Sequence, residues 1–262
     1  MSKPLTDTGE PSPGDGPDAV DFGYRKVTAA EKTKLVGGVF SSVAQRYDVM
    51  NDFMSLGTHR LFKRMLVELT GARRGHRLLD LAGGTGDVAA LLAPITGDSG
   101  QVVLADRNAE MMHVGRNRLL DRGHANVAFC QLNAEALPFA SNSFDAVTLA
   151  FGIRNFTSKA AALKELRRVL KPGAALLVLE FSKPKGNLLQ AAYSGFQGLW
   201  PAVGQALVGD PQPYRYLVES IRVHPDQKQL KLMMEDAGFG KVTYHNLLGG
   251  IAAIHRAEVA AS

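Results

Sequence analysis

Leu79-Asp80-Leu81-Ala82-Gly83-Gly84-Thr85-Gly86-Asp87 is the stretch on which the fold turns. Its first half continues His76-Arg77-Leu78, a short apolar run of buried-strand length. The run passes directly into Gly83, Gly84 and Gly86, which permit positive φ and let a ligand approach the backbone. Asp87 then opens a helix that reaches about Ala93. Strand, glycine turn and helix together form the first half of a βαβ unit, whose ligand site lies at the carboxyl end of the strand.

Reading toward the C-terminus, the alternation repeats. Gln101 to Ala105 is a second strand, with Asp106 at its end, and a helix follows from Ala109 to Arg122. Val127 to Gln131 and Phe144 to Phe151 are the third and fourth strands. Lys159 to Leu170 carries Leu163, Leu166, Val169 and Leu170 on one helical face, and Lys171-Pro172-Gly173 stops it. Ala174 to Leu179 is a fifth strand. After a helix from Pro225 to Ala237, Val242 to Leu247 and Ile251 to His255 are joined through Gly249-Gly250 as a hairpin. Strands alternating with helices predict a parallel sheet with right-handed crossovers. The hairpin makes the last strand antiparallel. The expected fold is therefore α/β, a class I Rossmann-like methyltransferase domain with a mostly parallel seven-stranded sheet.

Toward the N-terminus, helices are expected over Thr58 to Leu69 and Thr28 to Tyr47, the latter with Thr28 and Glu31 at capping-box spacing. Residues 1–21, rich in Pro, Gly and Asp, read as a disordered tail, which leaves 22–262 as the domain. Gly186 to Gly209 holds no charged residue. It reads either as a pair of buried helices or as a lid, within an insertion at about 183–224, that covers an apolar ligand or touches a bilayer.

Composition narrows the class. With 45% hydrophobic and 21% charged residues, the chain reads as a globular protein. A single cysteine, Cys130, excludes an internal disulfide framework. No stretch reads as a membrane span, and the acidic N-terminus is neither a secretory signal nor a transit peptide, so a cytoplasmic location is expected. The net charge of +5 comes from basic residues set beside acids, as in Lys164-Glu165, and predicts no nucleic-acid partner. No metal-ligand spacing is present, and no metal is expected.

Three features converge on a nucleoside ligand. They are the glycine turn at Gly83, Gly84 and Thr85, a carboxylate at Asp106 able to accept both ribose hydroxyls, and Asn133-Ala134-Glu135 after the third strand, placed to read adenine. Gly84-Thr85-Gly86-Asp87-Val88-Ala89 also satisfies the dinucleotide pattern. Asp87 argues against that reading, because its charge stands where a pyrophosphate would sit. S-adenosylmethionine, cationic and without phosphate, is the favoured cofactor.

At this point the chain resembles the ubiquinone/menaquinone biosynthesis C-methyltransferases of the UbiE type. The resemblance rests on the run from Val39 to Ser55 with its Tyr47-Asp48-Val49-Met50-Asn51-Asp52 core, on Leu79 to Asp87, on Asn133 to Phe139, on Phe151-Gly152-Ile153-Arg154-Asn155, on Leu179 to Pro184, and on Tyr214 to Arg222. It covers about Phe22 to Arg256. It implies donor contacts from Thr85, Asp106, Asn133 and Ala134, and methyl transfer to the ring of a polyprenyl benzoquinol or of demethylmenaquinol. Ala150 stands where the family often has serine, Gln212-Pro213 replace a more usual polar pair, and Leu248 replaces a frequent threonine.

A quinol carbon is nucleophilic when its neighbouring hydroxyl is ionised, which for a phenol occurs near pH ~10. Arg154 is the expected phenolate partner, with Asn155 orienting a ring oxygen or a water. Tyr47, Asp48 and Asn51 are expected to cap the pocket, and His59 has a comparable place. Asp48, Glu219, Tyr214 and a water remain alternative bases. The expected partners are the polyprenyl quinol, a peripheral membrane contact at the inner face, and a quinone-biosynthesis complex or homodimer. A small-molecule O- or N-methyltransferase and a non-catalytic subunit of such a complex are the rival readings.

Overall fold

The computed structural model describes residues 19–261. Residues 1–18, and with them most of the expected tail, lie outside the described residues. Where description starts, the chain is already paired: β1 (Val20–Phe22) and β2 (Arg25–Val27) form a short antiparallel hairpin. The expected tail boundary at residue 21 therefore falls inside a strand. Phe22 stacks on Tyr216 at 4.4 Å between ring centroids, and Tyr24 N donates to Glu219 Oε2. These long-range contacts order a segment whose own sequence has no apolar alternation.

Helix α1 (Ala29–Val43) starts at Thr28, whose hydroxyl accepts from Glu31 N. A 3₁₀ turn over Ala44–Arg46 separates it from α2 (Tyr47–Ser55). The helix expected to run to Tyr47 thus gives way to a 3₁₀ turn after Val43, and α2 is a further helix that the sequence reading did not contain. α1 lines the large cleft with Gly37 and Phe40, whereas Met50 and Met54 of α2 pack with Trp200 and Leu217. Helix α3 (Thr58–Leu69) has the expected bounds.

The main sheet comprises β3 (Arg77–Leu81), β4 (Gln101–Asp106), β5 (Val127–Gln131), β6 (Phe144–Ala150), β7 (Leu170–Phe181), β8 (Lys241–Leu247) and β9 (Ala252–Glu258). Their order is β5-β4-β3-β6-β7-β9-β8. Only β9 runs against its neighbours, as the hairpin predicted. Crossover helices α4 (Asp87–Thr96), α5 (Ala109–Asp121) and α6 (Lys159–Val169) link the parallel strands.

Strand alternation divides the core in two. Leu78, Leu104 and Leu177 point to one face, where Leu66 of α3, Leu92 of α4 and Leu119 of α5 are fully buried. Leu79, Val103 and Val178 point to the other, against α6 and α9 (Gln227–Asp236). Each such leucine contributes about 1.5–3 kcal/mol relative to an exposed one.

The charge-free segment is one helix, α7 (Asn187–Val208), so of its two readings the pair of buried helices does not hold. Pro201 lies inside it. Its inner side buries Gln197 and Trp200, while Leu188 and Leu199 stand exposed on the outer side. Helix α8 (Gln212–Val223) crosses it closely: a Cβ on Gly204 would lie 2.2 Å from the Tyr214 ring. Among the described residues, no helix is long and apolar enough to cross a membrane.

Candidate functional site

At the carboxyl ends of β3, β4 and β6 lies a cleft of about 450 Å³. Its floor includes Leu81, Ala82, Gly84 and Asp106. Ala82 and Phe151, at the ends of β3 and β6, both hold φ in the left-handed region, at 52° and 55°. Such strain in non-glycine residues persists where the surrounding structure over-determines it, often at ligand sites.

Asp106 Oδ2 accepts from Gly84 N at 2.9 Å, and Oδ1 accepts from Asn108 N at 2.8 Å. Burial pushes this carboxyl above its ordinary value, against the pull of those backbone N–H groups. Asn108 also caps α5 by accepting from Met111 N, and its amide donates to Gly37 O and Ser41 Oγ, each at 3.0 Å. One side chain thus ties the cleft floor to its α1 wall. Gly115 in α5 lets that helix rest on the glycine turn: a Cβ there would lie 2.7 Å from Gly84 O. Neither Asn108 nor Gly115 was singled out from the sequence. A glycine in mid-helix is the signal that points to the second.

The expected donor residues divide between two adjoining spaces. Gly84, Asp106, Asn133 and Ala134 line the large cleft. The Asn133 amide oxygen is engaged locally, accepting from Glu135 N at 3.2 Å. Gly83 and Thr85 line instead a smaller pocket that shares Ala82, Gly84, Tyr47 and Phe151 with the cleft. Gly83 is also required by packing, since a Cβ there would lie 2.9 Å from Asp80 Oδ2. Asp80 itself is buried, and burial pushes its carboxyl up to about 7 despite hydrogen bonds from Thr148 Oγ1 and Ala89 N.

Asp87 does not stand as a bare charge. Lys63 Nζ lies 2.7 Å from Oδ2 and Arg118 Nη1 lies 2.9 Å from Oδ1. Burial alone would raise its carboxyl, but the two cations hold it below the ordinary range. The repulsion expected to exclude a pyrophosphate is therefore offset, and that argument against a dinucleotide is withdrawn.

Beyond Phe151 a small chamber is lined by Tyr47, Asn51, His59, Arg154, Phe181 and Tyr216, among others. Arg154 and Asn155 sit on a 3₁₀ turn at the end of β6 but face different spaces: Arg154 the chamber, Asn155 the large cleft. Arg154 is buried and paired. Its Nη1 lies 2.9 Å from Glu180 Oε1, its backbone N donates to Glu180 Oε2, and Nη1 also donates to Phe151 O. The guanidinium lies over the Phe181 ring. Arg154 Nε is buried and has no hydrogen-bond partner among the described residues. Glu180 entered the sequence reading only within the Leu179 to Pro184 block, with no role of its own. Asn155 Oδ1 accepts from Tyr216 OH at 2.9 Å, and burial pushes that phenol well above its ordinary value.

Tyr47 borders all three spaces. The side chain of Asp48 lies outside the described residues. His59 is buried, contacts Ser55 Oγ at 2.7 Å through Nδ1, and is held by burial below its ordinary value. Two of the alternative bases stand elsewhere: Tyr214 packs against α7, and Glu219 accepts from the N-terminal hairpin. Among the described residues, no group of three His, Cys, Asp or Glu could hold a metal.

The model of the ubiE/COQ5 methyltransferase family matches residues 27–258. The chain belongs to that family. It is a methyltransferase, and its donor is S-adenosylmethionine. The cleft fits that donor, with a carboxylate at the end of β4 and a glycine turn at the end of β3. Similar relatives include the ubiquinone/menaquinone biosynthesis C-methyltransferase UbiE of Pseudomonas aeruginosa strain LESB58, 55% identical over 93% of this chain and 97% of that one. The enzyme of the same description from Pseudomonas putida strain F1 is 55% identical over 90% of this chain and 93% of its own. Among solved structures, a SAM-dependent methyltransferase of Thermotoga maritima matches with a TM-score of 0.60 and 18% identity, over 84% of this chain and 98% of that one. One from Aquifex aeolicus matches with a TM-score of 0.53 and 19% identity, over 89% of this chain and all of its own. The structural likenesses establish the shared fold. Within the family frame, Ala150 lines the large cleft without the hydroxyl that a serine would bring.

Proposed function

We propose that this chain transfers a methyl group to a ring carbon of a polyprenyl benzoquinol, of demethylmenaquinol, or of both, in ubiquinone/menaquinone biosynthesis. The observation that carries this reading is the near-full-length identity to enzymes so described. The chamber beside the donor cleft has a largely apolar wall but a volume of only about 20 Å³, so a ring enters it only if it widens.

When bound, S-adenosylmethionine supplies an electrophilic methyl group. In the proposed reaction a ring C–C bond forms, the sulfur–methyl bond breaks with its electron pair left on the sulfur of S-adenosylhomocysteine, and the proton of that ring carbon passes to a water. Asp106 would hold the ribose, and Asn133 and Ala134 the adenine; all three line the large cleft with Gly84. Gly83 and Thr85, in the adjoining pocket, would hold the methionine portion. Arg154 is already neutralised by Glu180, so it meets the ring as an oriented donor rather than as a free charge. Its unpartnered Nε is the group we assign to the ionised ring oxygen. Asn155, held by Tyr216, orients a second oxygen or a water. Alignment of ring carbon and methyl supplies up to roughly 7–11 kcal/mol in the best model systems.

The tail of such an acceptor partitions into a bilayer. We assign the uncharged outer side of α7, with Leu188 and Leu199, to peripheral contact with that surface. Co-sedimentation with anionic vesicles that drops in Leu188→Glu/Leu199→Glu is the expected result.

Label transfer from methyl-labelled S-adenosylmethionine to demethyl benzoquinol and demethylmenaquinol, each reduced and oxidised, tests the reaction. Only the reduced rings should be labelled. Donor binding with no label in either ring would remove the quinol assignment and favour a small-molecule acceptor.

A further inference from the structure

The Lys63 ammonium is an unusual group to find beside a cofactor turn. Its side chain is only 9% exposed, yet among the described residues it donates a single hydrogen bond, to Asp87. An ammonium carries three N–H donors. Two are therefore left without a protein partner at a position where leaving them bare is costly. Lys63 lines the small pocket with Gly83, Gly84 and Thr85, and that pocket shares Ala82, Gly84 and Phe151 with the donor cleft.

The donor has two chemically distinct ends. The adenosine end occupies the large cleft, with Asp106 at its ribose. The methionine end carries an α-carboxylate and an α-ammonium, and it must leave the ribose across Gly84. On that side the small pocket holds the Lys63–Asp87 ion pair, which offers one charge of each sign. Arg118 on Asp87 adds a second positive charge nearby. Asp80 lines the same pocket, and while its carboxyl is protonated the local balance favours an anionic group.

We propose that Lys63 binds the α-carboxylate of the donor, and that Asp87 serves as the positioning residue that holds Lys63 toward the pocket. The assignment rests on the donor placement proposed above. It makes α3, a helix outside the glycine turn, part of the cofactor site. It also explains why a cation is buried between α3 and α4, where a plain packing contact would use an apolar side chain.

A pair of ligands separates this role from a structural one. S-adenosylhomocysteine carries the amino-acid end; 5′-methylthioadenosine lacks it. Both are titrated calorimetrically into the full-length wild type, Lys63→Met, Lys63→Arg and Asp106→Asn. Lys63→Met should bind S-adenosylhomocysteine at least tenfold more weakly and 5′-methylthioadenosine within twofold of wild type. Lys63→Arg should recover most of the loss. Equal weakening of both ligands, or no weakening of either, would overturn the assignment. Lys63→Gln, which can still donate to Asp87, repeats the comparison if Lys63→Met does not fold. Asp106→Asn should weaken both ligands together. Unchanged binding of both by that variant would count against the donor placement and not specifically against Lys63.

Discussion

Asp106 accepts from Gly84 N through Oδ2 and from Asn108 N through Oδ1, and the Arg107 backbone N–H also acts on it. Two charge-assisted hydrogen bonds to a ribose are worth about 1.5–3 kcal/mol each. Asp106→Ala should therefore weaken donor binding roughly 100-fold or more, as read by calorimetry with S-adenosylhomocysteine. Arg154→Ala should leave that affinity within a few fold and lower kcat by roughly 10²–10³, the usual cost of a lost oxyanion donor. It also leaves Glu180 buried without its cation, which costs about 3–5 kcal/mol of stability. Arg154→Ala/Glu180→Gln should recover much of the stability in a denaturant melt and none of the turnover. Asp80 gives a pH signature. Its carboxyl stays protonated in the folded state up to about 7, whereas in the unfolded chain it ionises near its ordinary 3.8. The folded state thus binds the extra proton, and its stability falls as pH rises from about 4 to 7. Melting curves across that range should show a decline that is smaller in Asp80→Asn, where the amide stands in for the protonated acid. A wild type and variant that decline in parallel would assign the effect to other groups.

Among the elements, α5 and the glycine turn are in close contact. Because Gly115 sets α5 against Gly84 O, Gly115→Ala must push the turn or the helix aside. Overpacking of this kind costs about 1–3 kcal/mol, and here it acts on the donor site itself. The expected result is about a tenfold weaker donor Kd with near-normal secondary structure by circular dichroism; a stability loss with unchanged Kd would confine Gly115 to packing. The elements differ in how openly the sequence announces them. β3 to β9 were legible because apolar runs ending in glycine turns or helix starts repeat along the chain, and α3 because its amphipathic period is uninterrupted. β1 and β2 were hidden: three residues each, without alternation, they exist because Tyr216 and Glu219 of α8 hold them. The site behaves likewise. Asp106 was legible from its distance to the glycine turn. Glu180 was not, since in Leu179-Glu180-Phe181 it looks like a strand residue, and only the fold brings Arg154 beside it.

Over the whole molecule, the rigid part and the covering part are separate. The sheet and its crossover helices carry the floor of the site, while α1, α2 and α8 roof it from two distant parts of the sequence. Tyr47, which borders every space in the site, belongs to the roof. Ligand contacts should therefore stabilise the roof more than the floor. Hydrogen exchange with and without S-adenosylhomocysteine should show added protection concentrated in α1, α2 and the glycine turn, with β7 and β9 nearly unchanged. Protection spread evenly over the sheet would argue instead for global stabilisation by ligand binding.

The layout of the two compartments also sets an order in time. Every residue lining the donor cleft lies between Thr33 and Thr157. The chamber beside Arg154 additionally needs Phe181, Pro213, Tyr216 and Leu217. A chain emerging from the ribosome at roughly 5–20 residues per second therefore delivers the material for the nucleoside site several seconds before the material for the acceptor site. The nascent protein acquires the means to hold its reagent before it acquires a place for the reagent to be used.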